Sequence, residues 1–294
     1  MTLADALGAA LGRPVRRLRR VGGGMLNEAY AAELADGARI FVKAHTDPLP
    51  GTFEAEAAGL RWLAEAPGGP PVPEVLGVAE GWLALGWVEP GALTADAEAG
   101  LGRALAALHA AGAPGFGATA PGTPGAPGHE APPLRIGPLL LSNEPAADWP
   151  GFYAERRLGP LAAMARDRGA LRAEGSALVE RLCARIGTLA GPPEPPARLH
   201  GDLWSGNVLA ATSGDAHLVD PAAHGGHREV DLAMLRLFGG ASERCFAAYA
   251  EVAPLADGHA ERVGLWQLLP LLVHAVLFGG GYGAQVERAA ARLV

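Results

Sequence analysis

Leu199-His200-Gly201-Asp202-Leu203-Trp204-Ser205-Gly206-Asn207-Val208-Leu209, followed after a short polar gap by Leu218-Val219-Asp220-Pro221, is the stretch on which the reading of this chain turns. Its first part is a tight loop carrying His200, Asp202 and Asn207, and an apolar stub from Val208 to Ala211 leaves that loop. Ser213-Gly214-Asp215 supplies a turn, and a second stub ends on Asp220. Two short strands joined by such a turn form a hairpin. Asn207 stands at the entry of one strand and Asp220 at the exit of its neighbour, so both side chains can reach one point.

Phosphoryl transfer needs that arrangement. One carboxylate orients the attacking hydroxyl and takes its proton, while an amide oxygen and a second carboxylate hold Mg²⁺ against the phosphates. Asp202 with Asn207 reproduces the spacing of a kinase catalytic loop, and Asp220 stands where the metal-binding Asp follows. His-x-Asp alone is a weak signal; the ordered set of His200, Asp202, Asn207, hairpin and Asp220 is a strong one. Trp204 occupies the position where protein kinases place a Lys. That points to a small-molecule acceptor, with an indole available to pack on the C–H faces of a sugar.

The chain of 294 residues is long enough for two lobes, each with its own core. We expect an α+β fold with an N-lobe over residues 1–88 for the nucleotide phosphates. A mostly helical C-lobe over 89–294 then carries the catalytic loop, metal and substrate site. Apolar residues make up 49%, yet no apolar run reaches the roughly 18 residues that span a bilayer, so no membrane partner is expected. Met1 to Leu11 reads as an amphipathic first helix rather than a secretory signal, because Arg13, Arg16 and Arg17 come after it. A net charge of −7 without a long basic stripe argues against nucleic acid. Cys183 and Cys245 sit in helical patterns and point to reduced thiols in a cytoplasmic protein.

Taken in order, residues 16–44 read as three strands around Gly22-Gly23-Gly24-Met25, a run that lets backbone N–H groups approach phosphates. Lys43 ends the third strand. Phe53 to Ala66 reads as a helix whose apolar face carries Glu56 with Leu60 and Leu63. A carboxylate on an apolar face needs a buried partner, and Lys43 is the expected one, fixing its ammonium over the α- and β-phosphates. Val75 to Ala79 and Trp82 to Leu85 complete a five-stranded antiparallel sheet with one helix, and Gly86-Trp87-Val88-Glu89-Pro90-Gly91 is the hinge to which an adenine can bind.

Asp96 to Ala111 opens the second part as a helix, and the Gly- and Pro-dense residues 112–138 read as a long surface loop. Helices are expected over Trp149 to Arg166, Leu171 to Leu189, Glu243 to Val252, Ala260 to Phe278 and from Gln285 onward. Asp231 opens a further apolar helix, where it can cap the helix or bind the catalytic-loop backbone. His224 and His227 lack a ligand set with zinc-site spacing. Gly279-Gly280-Gly281-Tyr282 makes a turn able to present Tyr282 to a pocket; His274 is a further candidate there, but core packing is the fate expected of it.

His200 to Asn207, Asp220-Pro221-Ala222, Gly226 to Met234 and Phe238-Gly-Gly resemble segments of the fructosamine kinase (ketosamine-3-kinase) family. Gly22 to Tyr30, Phe41-Val42-Lys43, Phe53-Glu-Ala-Glu56, Trp149 to Arg157 and Leu277 to Tyr282 are similar to further family segments. The resemblance implies a protein-kinase-like fold and phosphorylation by ATP and Mg²⁺ of the 3-hydroxyl of ketoamines, as small molecules or on glycated lysines. The phosphorylated adduct then breaks down and releases the amine, which is deglycation. By that resemblance Asp202 is the base and Asn207 and Asp220 hold the metal. Lys43 and Glu56 order the phosphates, the glycine loop through Gly23, Gly24 and Met25 covers them, and Gly86, Trp87 and Val88 bind the base. Three departures stand out: Met25 where some members carry Cys, Gly86 where the hinge often begins acidic, and apolar Val276 and Leu277 in the last helical region. The alternative is an aminoglycoside- or choline-kinase-like phosphotransferase, and a silent nucleotide-binding scaffold is the non-enzymatic one.

Overall fold

The computed structural model describes residues 1–23, 27–239 and 241–294. Helix α1 (Leu3–Leu11) leads into strands β1 (Val15–Gly23), β2 (Glu28–Leu34) and β3 (Arg39–Ala44); α2 (Thr52–Ala64), β4 (Val75–Ala79) and β5 (Trp82–Gly86) follow. The strands form one antiparallel sheet in the order β1-β2-β3-β5-β4. Side chains alternate across it. Ile40, Val42 and Ala44 meet Leu7 of α1 on one face. Phe41 turns to the other, where Phe53, Ala57 and Leu60 of α2 pack on Leu83 and Leu85. Each fully buried Leu, Ile, Val or Phe among them contributes roughly 1.5–3 kcal/mol. The alternation puts Lys43 on the α2 side, within reach of Glu56.

The second part contains α3 (Ala95–Ala110), β6 (Leu134–Ile136), β7 (Leu139–Leu141), α4 (Trp149–Tyr153), α5 (Gly159–Asp167), α6 (Ala173–Leu189) and β8 (Ala197–Leu199). It continues with β9 (Val208–Ala210), β10 (Ala216–Leu218), β11 (His224–Gly226), α7 (Glu229–Leu237), α8 (Glu243–Val252), α9 (His259–Trp266), α10 (Leu268–Phe278) and α11 (Tyr282–Ala291). Its main core joins Trp149, Phe152, Tyr153 and Leu158 to Trp266 and Leu272. Helices α3 and α8 touch where a Cβ on Gly102 would stand 2.0 Å from the Cys245 carbonyl, so only glycine permits the approach.

Several expectations are corrected here. Residues 112–138 are not simply a surface loop: Ala120 and Leu134 are buried, and β6 pairs with β7. Gly117 donates to Gly225 O at 2.7 Å, and Gly225 donates to Ala118 O at 2.7 Å, which fastens this segment to β11. Three-residue strands are too short to leave a period. The helix expected over Trp149 to Arg166 contains a π turn at Ala154–Leu158. This carries Arg157 into the core, where it donates to Ser142 O at 2.7 Å and Asn143 Oδ1 at 2.6 Å. The segment His259–Phe278 is long and apolar enough to cross a membrane by composition, although Arg262, Gln267 and His274 interrupt its apolar residues. However, 61% of its most apolar stretch is buried inside the fold, as expected of a core helix.

Candidate active site

Strands β9 and β10 form the expected hairpin, with Leu218 opposite Val208. Val219 N–H donates to Asn207 O at 3.0 Å, which sets Asn207 and Asp220 side by side at its open end. Asn207 Nδ2 donates to Asp202 O at 2.8 Å and to Asp202 Oδ2 at 2.9 Å, leaving its Oδ1 turned away from that carboxylate. His200 accepts from Asp202 N–H through Nδ1 at 3.3 Å and donates through Nε2 to Val219 O at 2.9 Å. Beneath the loop, the Asp231 carboxylate accepts from His200 N at 2.7 Å and Gly201 N at 2.9 Å. Burial opposes ionisation of Asp231, but its contacts with His109 and the loop amides hold the carboxyl below its ordinary range. Asp231 therefore binds the loop backbone.

Across the cleft, Lys43 Nζ donates to Glu56 Oε1 at 2.7 Å and also pairs with Asp220 Oδ1. Burial works against the ammonium, but the two carboxylates outweigh it and raise the Lys43 pKa. Burial pushes Glu56 upward, against the pull of Lys43. The two tendencies conflict; the short contact decides for the charged pair. Asp220 has φ +56°, the one positive value outside glycine among the described residues. Such strain persists where the surroundings fix it, often at functional sites.

Between the sheet and the hairpin lies a cavity of about 360 Å³, walled by Val21, Phe41, Lys43, Leu209, Val219 and Asp220. Gly86, Trp87 and Val88 line the same cavity. Trp87 is held by Glu89 Oε2, which accepts from its Nε1 at 3.0 Å, and by the Arg39 guanidinium 4.0 Å over its ring. The hinge is stitched to the hairpin: Gly91 N–H donates to Ala210 O at 2.8 Å and Thr212 N–H to Glu89 O at 3.0 Å. Gly23 ends β1; Gly24 and Met25 lie outside the described residues.

Trp204 is 40% exposed and lies across Gly206, where a Cβ would come within 2.4 Å of its ring. His274 is half-buried, donating from Nδ1 to Pro270 O at 2.7 Å. Its ring stands 4.6 Å from Phe238, 5.3 Å from Phe278 and 5.0 Å from Tyr282. Thus His274 joins Tyr282 in one cluster rather than disappearing into the core. Sequence reasoning did not single out Phe238 and Phe278 for this cluster; the i, i+4 spacing of His274 and Phe278 was the available signal. Burial raises the pKa of Asp202, and the charge of Asp220 adds to it; His200, Asn207 and His274 pull the other way. A raised carboxylate suits a general base.

Asn207 Oδ1, which its contacts with Asp202 leave unused, and the Asp220 carboxylate are both oxygen donors, a chemistry that fits Mg²⁺. A second cluster, Glu194, His227 and Glu229, brings ligand atoms within 4.8 Å of one another. Sequence spacing did not reveal it. Arg228 pairs with Glu194 at 2.7 Å and Arg262 with Glu229 at 2.6 Å, so these carboxylates are already neutralised.

The family model described as Fructosamine kinase matches residues 1–294. A Thermus thermophilus protein named as a ketoamine kinase is 40% identical over 252 residues, 85% of this chain and 86% of its own. The Arabidopsis thaliana protein named protein-ribulosamine 3-kinase is 31% identical, covering 91% of this chain and 79% of its own. A crystal structure from Thermobifida fusca named for fructosamine-3-kinase shares 45% identity and a TM-score of 0.88, over 99% of both chains. The choline kinase of Streptococcus pneumoniae, at 14% identity and a TM-score of 0.63 over 99% of this chain and 96% of its own, shares the fold. The fold is therefore that of the protein-kinase-like phosphotransferases, and the chain belongs to the fructosamine kinase family.

Proposed function

We propose that this protein transfers the γ-phosphoryl group of ATP to the 3-hydroxyl of ketoamines of the fructosamine or ribulosamine type, an ATP:ketosamine 3-phosphotransferase. The observation that carries the reading is the hairpin, which sets Asn207, tied to Asp202 at 2.9 Å, beside Asp220, tied to Lys43. Residues 1–88 hold the nucleotide phosphates and residues 89–294 carry the base, metal ligands and acceptor. Gly86, Trp87 and Val88 receive the adenine, and the glycine loop through Gly23, Gly24 and Met25 covers the phosphates. Lys43, braced by Glu56, steadies the α- and β-phosphates. Asn207 and Asp220 hold Mg²⁺, which when bound supplies charge neutralisation between the phosphates. Asp202 orients the acceptor hydroxyl and takes its proton. Trp204 offers its indole face to the sugar, and His274 and Tyr282 close the other side.

Loss of the phosphorylated adduct releases the amine, so the outcome is deglycation of small ketoamines or of glycated lysines. We place the reaction in the cytoplasm, a reading supported by Cys183 and Cys245 as free thiols. The test is incubation with ATP, Mg²⁺ and a panel of ribulosamines, fructosamines, aminoglycosides and choline. Phosphate is expected on sugar–amine adducts; phosphate on none of them, or only on choline or an aminoglycoside, overturns the proposal.

A further inference from the structure

Arg198 of β8 precedes the catalytic loop by only one residue, yet its side chain reaches the helix that carries Glu56. Its Nη1 donates to Trp62 O of α2 at 2.6 Å, its Nε donates to Gly112 O at 3.3 Å, and its guanidinium lies 4.7 Å from the centre of the Trp62 ring. Trp62 is itself buried against Ala58 and Ala120. On the same face of α2, a Cβ on Gly59 would touch Pro221 and Ala223 at 3.3 Å, directly after Asp220. The helix is thus clamped by the chain on either side of the catalytic hairpin. Trp62 lies six residues beyond Glu56, so a shift of its carbonyl moves the carboxylate that braces Lys43.

We infer that Arg198 is a positioning residue for nucleotide binding, coupling the strand that leads to Asp202 to the helix that presents Glu56. The inference rests on the nucleotide reading of the Lys43 site but not on the identity of the acceptor. Unlike Asp202, Arg198 has no part in the transfer step itself. Its effect falls on the fraction of molecules in which the Lys43–Glu56 pair is formed before nucleotide arrives.

The test is titration of the full-length protein with a fluorescent ATP analogue and Mg²⁺, alongside KM for nucleotide and for the best acceptor. Arg198→Met removes the hydrogen bonds but keeps the stem. It is expected to weaken nucleotide binding about tenfold, the effect of one charge-assisted hydrogen bond, with the acceptor KM within twofold of the parent. Arg198→Lys, which can still reach a carbonyl, is expected to recover part of the loss. In a Glu56→Gln background Arg198→Met is expected to weaken binding no further, because the residue through which it acts is already disabled. Losses that add in that background, or that lower both KM-derived affinities together with thermal stability, overturn the inference while leaving the kinase reading intact. Should Arg198→Met not fold, Arg198→Lys decides: unchanged non-additivity with Glu56→Gln supports the inference, and simple additivity overturns it. A parent protein with no affinity for nucleotide overturns the kinase reading, and this inference with it.

Discussion

Asn207 holds Asp202 twice, through the backbone carbonyl at 2.8 Å and through the carboxylate Oδ2 at 2.9 Å. In the proposed mechanism Asn207 therefore serves twice: its amide nitrogen orients the base Asp202, and its amide oxygen is offered to the metal.

Asp202→Asn should keep the shape of that arrangement while removing the proton acceptor. General bases contribute about 10²–10⁴ to rate, so turnover is expected to fall by that range with nucleotide affinity within threefold. Asn207→Ala should instead raise the Mg²⁺ concentration needed for half-maximal rate. Single-turnover measurements beside nucleotide titrations separate the two; an Asp202→Asn protein at full rate would remove Asp202 from the role of base.

The raised pKa of Asp202 makes a pH prediction of definite sign. Burial is the leading cause, and the acidic limb of kcat/KM should lie above the ordinary carboxylate value of 3.8. The charge on His274 pulls the Asp202 pKa down. His274→Leu removes that charge, so the acidic limb should move to still higher pH. A pH–rate profile that stays in place, or moves toward acid, contradicts the placement of His274 beside the base.

Much of this site was legible from residue order because it is local. Asn207 and Asp220 are tied together by one hairpin, and the strand alternation that puts Lys43 beside Phe41 also aims it at α2. Glu56 could be anticipated because an acid on an apolar helical face demands a cation. What escaped depends on contacts distant in sequence. The pairing of β8 with β11 joins residues about 27 apart through three-residue strands, too short for a hydrophobic period. Arg198 looks like an ordinary charged residue until the fold brings Trp62 to it. The Glu194–His227–Glu229 group is likewise assembled only by folding, together with the arginines that neutralise it.

Lys43→Met should damage stability as well as binding. It leaves Glu56 buried without its cation, and breaking a buried pair costs about 3–5 kcal/mol. Lys43→Met combined with Glu56→Leu should recover much of that stability without recovering activity, since no stranded charge remains. Denaturant unfolding of both variants checks this; equal stabilities for the single and double variants would show that Glu56 is not stranded when Lys43 is lost.

His224 predicts how the fold responds to acid. Its Nδ1 donates to Ala222 O at 2.9 Å, its Nε2 is buried without a partner among the described residues, and burial, aided by the Arg157 charge, lowers its pKa from 6.5 to about 4. Between those values the unfolded chain binds a proton that the folded chain refuses, so folding stability must fall as pH drops through this window. Above 6.5 the contribution is fully present; below about 4 it is lost. Burial also lowers the pKa values of His227 and His217, which add slope of the same sign. His224→Asn places its Nδ2 where Nδ1 stands, so it can keep a donor toward Ala222 O while removing the titration. Its denaturation midpoint should therefore fall less steeply than the parent's between pH 7 and pH 5, and an unchanged slope would mean that His224 takes its proton in the folded state as readily as in the unfolded one.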